Sequence, residues 1–223
     1  MTIAERIINL LLSEGACDVG FCEVSDGPAG LKYAVSLVLP LSDTVIDEIK
    51  DAPTFPYFHH YRTVNACIDR LILKTGLLLQ SEGWRYMPVA ASQSIPPKGG
   101  ERAHRGLYSH KKAAVLAGLG TVGKSALFIH REKGPRVRLG TLFTDCPLPA
   151  ADLPVDFSCG DCDLCVKACP AGAIKGTPWR EGMEREEIFD AEACNSYMRE
   201  HFMKIGRGAV CGICVKVCPF GSK

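Results

Sequence analysis

The sequence predicts an α+β protein in two parts, an N-terminal α/β domain over residues 1–155 and a small cysteine-rich module over 156–223. Three observations predict it. Helix-like and strand-like apolar periods alternate as far as Thr144. From Ser158 the composition changes abruptly to cysteine, glycine and short helical pieces. Residues 152–157 between them read as a linker. A chain of 223 residues can hold a domain of roughly 150 residues plus an appended module.

The elements follow in order. Ile3, Ile7, Ile8, Leu11 and Leu12 recur at helical spacing before Gly15, so a helix is expected over 2–13. Residues 19–24 read as a short strand, and 33–41, β-branched and apolar, as a strand covered on both faces. Residues 51–57 are expected to be a loop, and 59–82 one long helix with Val64, Ile68, Leu71 and Ile72 on its apolar face. A strand over 84–90, a Gly- and Pro-rich loop over 92–106, a helix over 109–117 ended by Gly118, and a strand over 137–144 complete the first part.

Apolar residues make up 47% and charged residues 23%, ordinary for a soluble globular chain. Lys and Arg (26) nearly cancel Asp and Glu (25), which removes any whole-chain attraction to nucleic acid or a membrane surface. No apolar run approaches the roughly 20 residues of a membrane span. The first residues resemble neither a secretory nor a twin-arginine leader, so a cytoplasmic protein without membrane association is expected.

There are twelve cysteines. Cys17, Cys22, Cys67 and Cys146 are scattered and read as small buried apolar residues. The other eight crowd into the module, which points to metal rather than disulfides. Cys159-Gly-Asp-Cys162-Asp-Leu-Cys165-Val-Lys-Ala-Cys169-Pro170 has the C-x2-C-x2-C-x3-C-P spacing of bacterial ferredoxins. Three thiolates on a tight loop reach three irons of one cube, and the fourth, carried off by a helix start, ligates the other. Cys211-Gly-Ile-Cys214-Val-Lys-Val-Cys218-Pro219 repeats the pattern without its first member, whose position is Gly208. Two cubes need eight thiolates, and Cys194 is the one cysteine left in the module. The expectation is one [4Fe–4S] cluster on Cys159, Cys162, Cys165 and Cys218 and another on Cys169, Cys194, Cys211 and Cys214. A single C-x-x-C would fit zinc or a redox dithiol, but the longer spacing is rare in zinc sites.

Gly118-Leu-Gly-Thr-Val-Gly-Lys-Ser125 satisfies both the dinucleotide fingerprint and the phosphate-loop pattern. Both need a strand directly before and a helix directly after. The preceding segment reads as a helix, so a tight glycine turn that lets backbone approach a large flat ligand is the better reading. Arg136 and Arg138 share a strand face by period two and are candidate anion ligands.

Several stretches together resemble one family: Tyr61-Arg-Thr-Val-Asn65, Met87-Pro-Val-Ala-Ala-Ser92-Gln93, the run from Ser109 through Lys124, Gly134-Pro-Arg-Val-Arg-Leu-Gly-Thr-Leu-Phe-Thr144-Asp145, and the cysteine module with its Cys194-Asn-Ser-Tyr. They resemble epoxyqueuosine reductases in the broad sense, which are related to reductive dehalogenases. The resemblance implies a reductive-dehalogenase-like N-terminal domain that binds base-off cobalamin, with Ser92, Gln93, Ser109, His110, Gly118, Leu119, Gly120 and Gly123 around the corrin. It further implies Tyr108 as a proton donor. Where the family carries a proton-donating Asp, this chain reads Ala90-Ala-Ser-Gln-Ser-Ile, and Thr121 stands where it usually has Trp. Together with the absence of a helical repeat domain, these departures make tRNA an unlikely substrate.

The functional expectation is a cobalamin-dependent reductase. A flavodoxin or ferredoxin gives electrons to two [4Fe–4S] clusters, which pass them to cobalamin and on to a small-molecule substrate. The alternatives are a non-catalytic corrinoid-binding ferredoxin that reduces or delivers cobalamin to an acceptor protein, and a plain two-cluster electron-transfer protein.

Overall fold

Thr2 opens the chain with a capping box: its hydroxyl accepts from Glu5 N–H, and the Glu5 carboxylate accepts from Thr2 N–H at 2.7 Å. Helix α1 (Ile3–Ser13) follows and buries Ile7 and Leu11. In the computed structural model, which describes residues 1–96, 104–151, 158–180 and 182–221, the chain is a mixed α+β fold. Strands β1 (Asp18–Glu23) and β2 (Tyr33–Pro40) pair antiparallel, with Asp18 opposite Val38 and Glu23 opposite Tyr33. Six consecutive residues of β2 are buried, so both its faces are covered.

A short helix α2 (Asp43–Asp47) is capped by Ser42. Helix α3 (Phe55–Ser81) starts four residues before the expected position, inside the segment expected to be a loop. Thr54 explains this: its hydroxyl accepts from Tyr57 N–H at 3.2 Å and its carbonyl from Phe58 N–H at 3.0 Å. Pro56 sits in the first turn, where its missing N–H costs nothing. Strand β3 (Tyr86–Val89) is shorter than expected, and helix α4 (His110–Leu116) is capped by the Ser109 hydroxyl. Next come β4 (Gly120–Val122) and β5 (Phe128–His130), which pair as a separate two-stranded sheet that the sequence reading missed. Strand β6 (Val137–Thr144) pairs antiparallel with β3, and the main sheet has the order β1-β2-β6-β3. The module contributes short helices α5 (Leu164–Ala168), α6 (Arg185–Ile188), α7 (Ala191–His201), α8 (Met203–Gly206) and α9 (Ile213–Lys216). The expected linker, 152–157, lies outside the described residues, as does 97–103 of the expected loop.

The chain forms two compact units, each drawn from several stretches of the sequence. The first comprises Met1–Pro40, Val64–Gly120 and Arg138–Val155; the second comprises Leu41–Thr63, Thr121–Val137 and Asp156–Lys223. Inside the first, α1 packs on β1, and α4 on β1 and β2. Ile7, Leu37, Ile68, Leu71, Leu142 and Phe143 are fully buried there. Inside the second, Leu41 N–H donates to Arg136 O at 2.8 Å, Arg136 pairs with Asp43 and Asp47, and Asp47 also accepts from Lys216 of α9 at 2.8 Å. Such bonds explain why segments far apart in sequence group with the module.

The end of α4 is brought onto the sheet by a glycine. A Cβ on Gly20 of β1 would lie 2.6 Å from Ala117 O, the residue that precedes Gly118. Gly20→Ala should therefore destabilise the protein by about 1–3 kcal/mol. The check is a lower urea midpoint with an unchanged slope; an unchanged midpoint contradicts the close approach.

Candidate functional site

All eight module thiols lie in the second unit. Cys159 and Cys162 flank a tight turn closed by Cys162 N–H to Cys159 O at 3.0 Å; Cys165 is on α5 and Cys169 caps its end. Cys194 is on α7, Cys211 precedes α9, Cys214 is in it and Cys218 follows it. Several of these thiols are raised by burial and, after it, by neighbouring thiols. Burial, then Cys159, Cys165 and Cys162, push Cys218 up to about 11. Burial first, then Cys159 and Cys162, raise Cys165. Burial, then Cys211 and Cys169, push Cys194 up to about 12. Cys214 is raised by burial and then by Cys211, Cys194 and Cys169, with Cys165 last. The structure thus brings together Cys159, Cys162, Cys165 and Cys218 in one set, and Cys169, Cys194, Cys211 and Cys214 in the other. Cys165 and Cys214 connect the sets.

The donor set suits iron–sulfur cubes. It is all thiol, the soft ligand such clusters take. Among the described residues no three His, Cys, Asp or Glu converge tightly enough for a single metal ion. Four ligands at the outer corners of a cube stand wider apart than four around one tetrahedral ion. Burial favours the neutral thiol at Cys165, Cys194, Cys211, Cys214 and Cys218, a preference that a bound metal cluster reverses.

Gly208 shows why the second run is one cysteine short. A Cβ there would lie 2.4 Å from the Phe58 ring, and one on Gly206 would lie 2.1 Å from it. Phe58 is buried against these two glycines. The place of the missing ligand is taken by an aromatic ring, and α7 supplies a thiol in the neighbourhood instead.

In the first unit, Tyr108 Oη donates to Asp26 Oδ1 at 2.9 Å, and Lys112 Nζ donates to Asp26 Oδ2 at 2.6 Å. The Lys112 ammonium also lies 5.4 Å from the Tyr108 ring centre, and Phe143 meets that ring edge-on at 4.7 Å. Burial first, then the Asp26 carboxylate, raise the Tyr108 phenol well above its ordinary range. The Lys112 hydrogen bond holds Asp26 below its ordinary range. Asp26 is the residue that sequence reasoning missed. Nothing in the local sequence marks it, since it reaches Tyr108 only through the fold.

The other resemblance-implied residues are distributed as follows. Ser92 and Gln93 are exposed, and the Ser109 hydroxyl accepts from Lys112 N–H at 3.3 Å. His110 Nε2 donates to Ala90 O at 3.0 Å, which leaves Nδ1 to accept from the Thr141 hydroxyl at 2.8 Å. Burial lowers its basicity, so the ring is neutral and neither nitrogen is open to a metal. Gly118 adopts φ 70°, the left-handed conformation glycine permits. Leu119 is buried, as are Gly120 and Gly123. A helix precedes this segment, β4 lies within it and β5 follows it, the reverse of what either nucleotide motif requires. The anion reading of the two arginines is corrected. Arg136 is engaged by Asp43 and Asp47, and Arg138 donates to Asn65 Oδ1 at 2.9 Å and Ala91 O at 3.3 Å.

Residues 158–221 match the 4Fe-4S double cluster binding domain family. The C-terminal part of the chain is therefore a double-cluster iron–sulfur domain. Over 115 residues it is 36% identical to the tetrachloroethene reductive dehalogenase of Sulfurospirillum multivorans, covering 48% of this chain and 22% of that protein. Over 116 residues it is 34% identical to the epoxyqueuosine reductase of Lactococcus garvieae, covering 48% and 30%. A solved reductive dehalogenase, whose structure is described as suggesting a mechanism for B12-dependent dehalogenation, has the same fold with TM-score 0.78 at 22% identity, over 98% of this chain and 32% of that one. The epoxyqueuosine reductase of Bacillus subtilis matches with TM-score 0.63 at 21% identity, over 97% and 64%. The chain is thus similar in sequence to reductive dehalogenases and epoxyqueuosine reductases over about half its length, shares their fold, and carries a double 4Fe-4S domain. It spans less than a third of the length of these two curated relatives.

Asp26→Asn should lower the pH at which Tyr108 ionises, because it removes the repelling carboxylate. The value should stay above that of an ordinary tyrosine, because burial, the larger cause, remains. The difference in phenolate absorbance between each protein and its Tyr108→Phe counterpart measures this; an unchanged titration contradicts the pairing.

Proposed function

We propose that this chain is a redox protein in which Cys159, Cys162, Cys165 and Cys218 hold one [4Fe–4S] cluster and Cys169, Cys194, Cys211 and Cys214 hold the other. The observation that carries the reading is the division of the eight part-exposed thiols into these two sets of neighbours. Each cube supplies one-electron transfer, and a corrinoid, when bound, supplies reduction at cobalt. The likeness to the B12-dependent dehalogenase fold supports a corrinoid as the acceptor. Electrons would enter from a flavodoxin or ferredoxin and leave to a small organic substrate.

The chain's own residues would bind and orient. Ser92 and Gln93 offer exposed polar groups to an amide-edged ring, and the turn at Gly118 offers backbone. His110 braces the Ala90 carbonyl, Asp69 accepts from Ala91 N–H at 2.8 Å, and Arg138 holds the Ala91 carbonyl. These three contacts fix the segment that presents Ser92. Both His110 nitrogens are engaged, so its role would be to brace this segment and not to bind a metal. Tyr108 holds a proton at Oη at neutral pH, the state a proton donor needs.

A second reading, a corrinoid-binding ferredoxin that reduces or delivers cobalamin without turnover, is favoured by one observation. The Tyr108 proton is directed at Asp26, not at an open position. Tyr108→Phe separates the two. Loss of at least tenfold in turnover with corrinoid binding intact supports the enzyme, and unchanged turnover supports the carrier.

Two outcomes test the cofactors. After anaerobic reconstitution with iron and sulfide, Cys194→Ala should carry iron for one cube, and Gly208→Cys in that background should not restore the second, because Phe58 fills the position. Full eight-iron loading of Cys194→Ala refutes the ligand assignment. Added cob(II)alamin should bind in stoichiometric amount with a base-off electron paramagnetic resonance spectrum, and no binding removes the corrinoid from the proposal.

A further inference from the structure

Lys124, the lysine of the phosphate-loop pattern, has no part in the reading above. Its Nζ donates to Gly160 O at 2.6 Å and to Cys162 O at 3.3 Å. Both carbonyls belong to the turn that carries Cys159 and Cys162. The backbone before it closes on the same turn: a Cβ on Gly123 would lie 3.4 Å from Cys159 Sγ and 3.0 Å from Ile129 Cγ1. The bend that presents the lysine is itself fixed, with Gly123 N–H donating to Leu127 O and Ala126 N–H to Gly123 O, each at 2.9 Å.

The charge is what distinguishes this lysine from the other two near the thiols. Lys167 pairs with Asp163 at 2.9 Å and Lys216 with Asp47 at 2.8 Å, so a carboxylate offsets each. The hydrogen-bond partners of Lys124 among the described residues are neutral carbonyls. Its ammonium therefore holds a positive charge beside the first cysteine turn, bonded there to carbonyls and not to a carboxylate.

We propose that Lys124 is a positioning residue that latches the Cys159–Cys162 turn, and that its charge raises the reduction potential of the cluster held there. The proposal rests on the cluster assignment made above. A cube that accepts an electron becomes more negative by one charge, and a fixed cation nearby favours that state. The hydrogen bonds set the shape of the turn, and the charge sets the potential. The two contributions separate by substitution.

The experiment is a redox titration of the full chain, reconstituted anaerobically with iron and sulfide, followed by electron paramagnetic resonance with iron counted per chain. Wild type should show two midpoint potentials. Lys124→Gln, which keeps N–H donors without charge, and Lys124→Met, which keeps neither, should move one potential negative and leave the other in place. Lys124→Arg should return it towards wild type. Loss of one cube's iron in Lys124→Met but not in Lys124→Gln or Lys124→Arg supports the latch, since the hydrogen-bond donors are then what decides. Three results overturn it: no shift in fully loaded Lys124→Gln, equal shifts of both potentials, or Lys124→Arg losing iron or potential as far as Lys124→Gln. Failure of wild type to take up iron would be a failure of the cluster assignment, and it is read before any variant is compared.

Discussion

Much of the second unit depends on one contact, the Phe58 ring against Gly206 and Gly208. A module crowded with cysteine and glycine has few large apolar side chains with which to build a core. Ile174, Ile188, Phe202, Val210, Ile213 and Val215 are buried, but most are modest in size. The start of α3 adds Tyr57 and Phe58, and a Cβ on Gly212 would lie 2.6 Å from the Tyr57 ring. Aromatic rings against bare backbone bury much apolar area in little space. The arrangement fixes what can stand at 206, 208 and 212, and so shapes where a thiol can be offered.

Polar contacts complete what the rings begin. Arg136 is almost wholly buried and would be costly without partners, yet Asp43 and Asp47 meet it while remaining half exposed. Asp47 also holds Lys216, so one carboxylate ties α2, the approach to β6 and α9 together. Lys124 performs a similar task by donating to carbonyls of the first cysteine turn. The first unit uses the same economy around Ala90 and Ala91, where His110, Arg138 and Asp69 each take one backbone group.

Periodic features were legible in the sequence. The strand at 137–144 and the helix after Ser109 lie where apolar spacing and capping chemistry put them. The start of α3 was not, because Pro56 reads as a loop residue until Thr54 is seen to cap the first turn. Nor was the β4–β5 pair, because three-residue strands in a glycine segment carry too short a period to register. The spacing of the cysteines gave a ligand set, but not the reason for Gly208, which requires knowing that Phe58 arrives from elsewhere. Asp26 was invisible for the same reason: its meaning comes from Tyr108 and Lys112, both distant in sequence.

The interleaving of the two units has a consequence for the order of assembly during synthesis. Phe58 is translated long before the residues that cover it, which lie almost at the end of the described chain. Closing so long a loop brings an entropic cost that only the finished contacts offset. The first unit has all its strands by Thr144 and can close while the ribosome is still working. The second must wait with an aromatic side chain uncovered. A nascent chain stalled before Gly206 is therefore the form most exposed to aggregation, and the form that most needs a chaperone to shield it.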